Sequence, residues 1–125
     1  MGILRANRGA ILAVPQPTLR AVATVRLRER GWQVWHADST DELRRLACAH
    51  LPGVVVTPAE GWAESGWLTC AKLRRAQPQL RVVLLGDEDA ESQRLARFVG
   101  ATSLVAPSVD AGELIGEIEG AQVYV

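Results

Sequence analysis

Aromatic and sulfur side chains are scarce in this chain. Its 125 residues hold two cysteines, one methionine, one tyrosine and one phenylalanine. Cys48 and Cys70 fall inside apolar-periodic segments and have no companion at metal-ligand spacing, so two buried free thiols are expected rather than a zinc or redox centre. No apolar run approaches the ~20 residues that span a bilayer, and no membrane association is expected. The apolar core of "MGILRANRGAILAVP" is too short for a signal peptide and reads as the way into a first strand, which suggests a cytoplasmic protein. GxSxG, P-loop and GxGxxG patterns are all missing. His36 and His50 have no paired acid in sequence reach; a satisfied strand histidine and a helix-end histidine are the expected roles. Catalysis has no candidate residue, so no enzyme activity, no cofactor and no metal site are expected.

Basic residues are absent after Arg97, while Asp110, Glu113, Glu117 and Glu119 follow it. The imbalance is reversed at the other end, where residues 1–35 carry six arginines against the single acid Glu29. Overall, fourteen basic and fourteen acidic residues cancel. A nucleic-acid interface needs a basic face that no adjacent acidic surface neutralises, so the question turns on which segments become neighbours.

What is present is an alternation of strand and helix signals, five times over. Ala10–Val14 is a short apolar run. Thr18 to Arg30 follows, with Leu19, Val22, Ala23 and Leu27 on one helical stripe and Arg20, Thr24 and Arg28 on the other. Gly31 closes it. "WQVWHA" alternates, placing Trp32, Val34 and His36 opposite Gln33, Trp35 and Ala37. "DSTDELRRLACAH" offers Ser39 or Thr40 as N-cap and Leu43, Leu46 and Ala47 as a buried stripe. "PGVVVTP" has no polar face, the pattern of a central parallel strand covered on both sides. The loop "AEGWAESG" leads into a helix that buries Trp67, Cys70 and Leu73 and ends near Ala76. "RVVLL" stops at Gly86, and "DEDAE" opens a helix that runs to Val99 and is ended by Gly100. "SLVA" is a short fifth strand. The last helix, about Val109 to Glu119, is weakened by Gly112 and Gly116.

Five βα units in one domain imply an α/β fold: a parallel sheet with right-handed crossovers and helices on both faces. At this length the strand order 2-1-3-4-5 is expected. That order puts a ligand site at the C-terminal strand ends, beside the switch between the first and third strands. It also sets the first and last helices side by side, so the basic and acidic segments neutralise each other. No nucleic-acid binding by this domain is expected.

Several phrases resemble the receiver domain of two-component response regulators: "ILAV", "LRERGWQVWHA", "LPGVVV", "SGWLTCAKLRRAQPQLRVVLL" and "VGATSLVAP". The resemblance covers a core of about residues 9–120 of a single domain, 1–125, and implies the flavodoxin-like receiver fold. A working receiver forms an acyl phosphate on an aspartate. An acid pair and the acceptor hold Mg²⁺, and a lysine and a hydroxyl neutralise the phosphoryl oxygens. By the resemblance, the acid pair falls on Pro15 and Gln16, and the acceptor on Pro58 with Thr57 as the neighbouring alternative. The hydroxyl falls on Gly86, the lysine on Ala106 and the aromatic switch on about Ser103. The resemblance is therefore to a degenerate receiver, a pseudo-receiver whose phosphorylation groups are replaced. Gln16, Glu60 and Asp87 are the polar groups near this vestigial site, expected as solvated loop residues.

Function must then come from surface or from the emptied site. Trp62, in the loop after the third strand, is either a lid over the vestigial pocket or a partner contact. Leu68, Phe98 and Tyr124, with the apolar tail Val123–Val125, are either an interaction patch or the completion of a small core. The leading expectation is a phosphorylation-independent protein–protein interaction domain that binds a protein partner and forms a homodimer. The alternative is a small-molecule sensor using the vestigial pocket. A phosphoacceptor at Thr57 has little support, because nothing there would bind the metal.

Overall fold

The computed structural model describes residues 7–120. Tyr124 and the tail Val123–Val125 lie outside them. Ten elements alternate along the chain: β1 (Gly9–Leu12), α1 (Pro17–Glu29), β2 (Gln33–His36), α2 (Thr40–His50), β3 (Val54–Pro58), α3 (Gly66–Ala76), β4 (Arg81–Leu85), α4 (Ala90–Val99), β5 (Ser103–Val105) and α5 (Ala111–Gly120). The strands form one parallel sheet in the order β2-β1-β3-β4-β5, as expected.

Sequence pattern and sheet position agree. β3 is central and buried at every residue, whereas β2 lies at an edge and is buried only in part. Alternation along the inner strands feeds two cores. Ala10, Leu12, Val54, Val56, Val83 and Leu85 face α1 and α5, meeting Leu19, Ala23, Leu27, Leu114 and Ile118. Ile11, Val55, Val82 and Leu84 face the other way, meeting Leu43 and Ala47 of α2 and Cys70 and Leu73 of α3. Together these two layers bury the apolar stripes of both helical faces, which is the dominant stabilising term for a domain of this size.

Local signals set the helix ends. Ser39 caps α2, its Oγ accepting from the Glu42 amide at 3.2 Å, while Glu42 Oε1 accepts from the Asp38 amide at 2.8 Å. Ser65 and Asp89 cap α3 and α4 in the same manner. Gly100 ends α4 at φ +81°, a left-handed conformation that costs glycine little.

Some details differ from the sequence reading, and among them Leu46 and Trp67, expected to be buried, are half-buried. Cys48 is exposed, because one residue beyond Ala47 the helix has turned ~100° away from the core. Cys70 is buried as expected, and burial, slightly opposed by Arg74, pushes its thiol up to about 11. Thr24, placed by its polarity on the solvent stripe, is buried, with its hydroxyl donating to the Arg20 carbonyl at 2.7 Å and lying 2.8 Å from His36 Nε2. Val22 is half-buried in its place.

Candidate functional site

A cleft of 340 Å³ opens at the C-terminal ends of β1, β3 and β4. Such a gap is the expected ligand position in an open parallel sheet. Pro58 is the last residue of β3, paired with Leu85 of β4. Val14, Pro58 and Leu85 are buried and form the floor. Pro15, Gln16 and Pro107 stand at the walls and are exposed, and Gly86 is half-buried between them. Glu60 and Asp87 are exposed at the rim.

Four of the five residues assigned to the vestigial site therefore meet in one cleft: Pro15, Gln16, Pro58 and Gly86. Ala106 does not line it; the next residue, Pro107, does. The cause is local. The Ala106 amide donates to Glu88 Oε1 at 2.8 Å, which ties the end of β5 to the loop before α4. Thr57 is buried and does not line the cleft. Ser103 sits on β5 with its Oγ buried and without a hydrogen-bond partner among the described residues.

The packing beneath the cleft is tight. Gly66, the first residue of α3, donates its amide to the Ala59 carbonyl at 2.8 Å. A Cβ on Gly66 would lie 2.0 Å from the Pro58 carbonyl oxygen. Only glycine allows α3 to start this close to the strand end.

Charge around the cleft is one-sided. Lys72 is the chain's single lysine. It lies on α3 and binds Glu64, together with Arg44 at 3.4 Å, while Thr69 Oγ1 donates to the same carboxylate at 2.6 Å. Burial raises the Glu64 carboxyl, but the bonds from Lys72 and Thr69 and the two positive charges outweigh it and hold it below the usual carboxylate range. The ammonium is thus committed to the α2–α3 flank, and among the described residues no basic side chain lines the strand-end cleft. Among the described residues no group of three or more His, Cys, Asp or Glu side chains is placed to hold a metal ion.

The other described candidate residues, Trp62, Leu68 and Phe98, lie on different elements. Trp62 does not line the strand-end cleft. It packs against the α2–α3 core and borders a separate cleft with Asp38, Asp41, Arg44 and Lys72, so it is not a lid over the vestigial site. Leu68 is exposed on α3, and Phe98 is 88% exposed on α4, one turn from the exposed Leu95. Trp35 is half-buried and stacks on His50, with ring centroids 4.3 Å apart. On the α1–α5 face Arg30 pairs with Glu119 at 2.8 Å, and Trp32 Nε1 donates to the same carboxylate at 3.0 Å. The basic and acidic segments are neighbours, as the strand order implied. Among the described residues, no helix is long and apolar enough to cross a membrane.

Sequence reasoning missed Val14, Leu85 and Pro107 as cleft residues. Pro107 carried a signal, since a proline directly after a strand marks where the chain leaves the sheet.

No family model matches the sequence, and neither does any curated protein. Solved structures do match. The chemotaxis protein CheY4 of Vibrio cholerae superposes with a TM-score of 0.82 at 15% identity, covering 94% of this chain and 100% of that one. A response regulator receiver domain protein from Clostridium thermocellum gives 0.75 at 23% identity, with 90% and 91% covered. A response regulator receiver protein from Pseudomonas putida gives 0.75 at 21% identity, with 94% and 99% covered. The shared property is the fold, that of response-regulator receiver domains.

Proposed function

We propose that the chain is a non-catalytic regulatory domain on the receiver fold that engages a protein partner without being phosphorylated. The carrying observation is the make-up of the strand-end cleft. Acyl-phosphate chemistry needs carboxylates for Mg²⁺, an acceptor carboxylate, and a cation for the phosphoryl oxygens. The cleft instead presents Pro15, Gln16, Pro58 and Gly86 at the strand ends, its two carboxylates, Glu60 and Asp87, stand exposed at the rim, and the single lysine is held by Glu64 elsewhere. A proline has no group that accepts a phosphoryl. Signalling would then run through surface contact, and Phe98 with Leu95 offers an apolar anchor of the kind that centres interfaces, here between two copies of the domain. Nucleic acid is disfavoured by the pairing of Arg30 with Glu119. Two unpaired cysteines suit a reducing, cytoplasmic setting.

The test is incubation with acetyl phosphate and Mg²⁺ followed by intact mass. No phosphoryl adduct is expected. An adduct that hydroxylamine removes would show an acyl phosphate and overturn the reading.

A second reading, a small-molecule sensor, is favoured by the cleft volume. At 340 Å³ it falls within the range of ligand pockets, roughly 300–1,000 Å³, and three proline rings give it rigid walls. Rigid walls mean little ordering cost on binding.

A further inference from the structure

We propose that the strand-end cleft takes a small organic cation, an ammonium or amidinium group carried on a compact apolar body. This inference rests on the sensor reading and adds the chemistry of the ligand. Size and lining set the body: the floor of Val14, Pro58 and Leu85 is apolar and buried, so it rewards an aromatic or branched aliphatic group. Charge sets the head group. Among the described residues, the only ionisable side chains lining the cleft are the carboxylates of Glu60 and Asp87, both exposed at its rim. A third carboxylate, Glu88, adjoins the rim, held against the Ala106 amide.

None of these acids is paired with a base among the described residues. The ion pairs among the described residues are Arg20–Asp38, Arg30–Glu119, Arg44–Glu64 and Lys72–Glu64, and none of these residues lines the cleft. Glu60 spends one oxygen on the Trp67 indole, with Oε1 accepting from Nε1 at 3.0 Å, and its second oxygen is free for a ligand donor. An anion would meet two or three negative charges and no cation. The N-terminal turn of α1 gives it little help, because Pro17 removes one of the free amides that would bind an anion there. A bare divalent metal is no better served, since hard cations need about six oxygen ligands and two rim carboxylates supply too few. An organic cation satisfies both halves of the cleft at once.

The experiment compares three probes of similar shape by amide chemical shifts: phenethylammonium, neutral phenylpropanol and phenylpropionate. The ammonium is expected to give saturable shifts at Val14, Leu85, Gly86 and Asp87, with the alcohol weaker and the carboxylate weakest. Exposed ion pairs contribute modestly, so Asp87→Asn and Glu60→Gln should each weaken the ammonium about threefold and leave the alcohol unchanged. Both side chains are solvent-exposed, so the variants are expected to fold. If the three probes bind alike, or the variants bind the ammonium as well as the parent does, charge selection is wrong while the cleft remains a binding site. If no probe shifts these amides, the sensor reading falls and this inference falls with it.

Discussion

The floor of the strand-end cleft and the outer faces of α4 and α5 are built to opposite tolerances. At the floor, Gly66 touches the Pro58 backbone so closely that a single added carbon would overlap its oxygen. On α5, a carbon added at Gly116 would meet nothing within 4 Å, and on α4 Phe98 stands almost free in solvent. The contrast separates two properties of the fold, charge and packing. Among the described residues the cleft lining holds two carboxylates and no basic side chain, while beneath it α3 approaches β3 with no room for a side chain at Gly66. The outer faces are loose, and changes there act on association or helix propensity rather than on the fold.

The largest effect is expected where the tolerance is smallest. Gly66→Ala should destabilise the domain by about 3 kcal/mol, since the clash is with backbone and only a shift of α3 relieves it. A denaturant midpoint equal to that of the parent would show that the cleft floor is slack and erase the contrast. Next comes Phe98→Ala. If Phe98 anchors a homodimer, its truncation should weaken association by about 2 kcal/mol, roughly thirtyfold, with no loss of monomer stability. Sedimentation across a concentration series reads the first quantity and chemical unfolding the second. A parent that stays monomeric at high concentration removes this surface from the proposal. On α5, Gly116→Ala should raise stability by up to about 1 kcal/mol, the helix-propensity difference with no steric cost to offset it. A melting temperature that falls instead would mean that the open face is occupied.

The smallest effect belongs to the β2 edge, between the two extremes. Burial, then the charges of Arg20 and Arg28, hold His36 below its usual value of 6.5, with Asp38 opposing weakly. The folded state thus binds the proton less readily than the unfolded chain. The stability involved is complete above about 6.5 and is lost as pH falls through the depressed folded value. His36→Gln should flatten that part of the stability profile between neutral and mildly acidic pH. An unchanged slope would assign it to another group.

Much of the frame was legible because it rests on patterns that survive without context. The three valines of β3 and the glycine that ends α4 each point to one solution, and the N-cap of α2 was narrowed to Ser39 or Thr40. What failed depended on direction in space. The usual burial of cysteine pointed Cys48 inward, but helix phase after Ala47 decided otherwise. Trp62 was placed by its position after β3, and nothing in the local sequence says that the loop turns toward α2 rather than over the cleft. Thr24 reads as polar, and it is buried because the Arg20 carbonyl and His36 answer its hydroxyl. At the cleft, the residue types were legible at Pro15, Gln16, Pro58 and Gly86. The offset from Ala106 to Pro107 was not, since it depends on how Glu88 tethers the end of the short β5.

Pro58 has a consequence for rebuilding the domain. Successive backbone nitrogens of a strand face alternate sides, and the Ala59 amide bonds to Leu85 of β4 at 2.8 Å, so the Pro58 nitrogen faces β1. It carries no hydrogen, and the β1–β3 ladder ends at Leu12 opposite Val56. Any other residue at this position would restore a main-chain donor beside the gap as well as a new side chain. Grafting aspartate there is therefore a double change, and a gain-of-function design should separate its parts by installing alanine first.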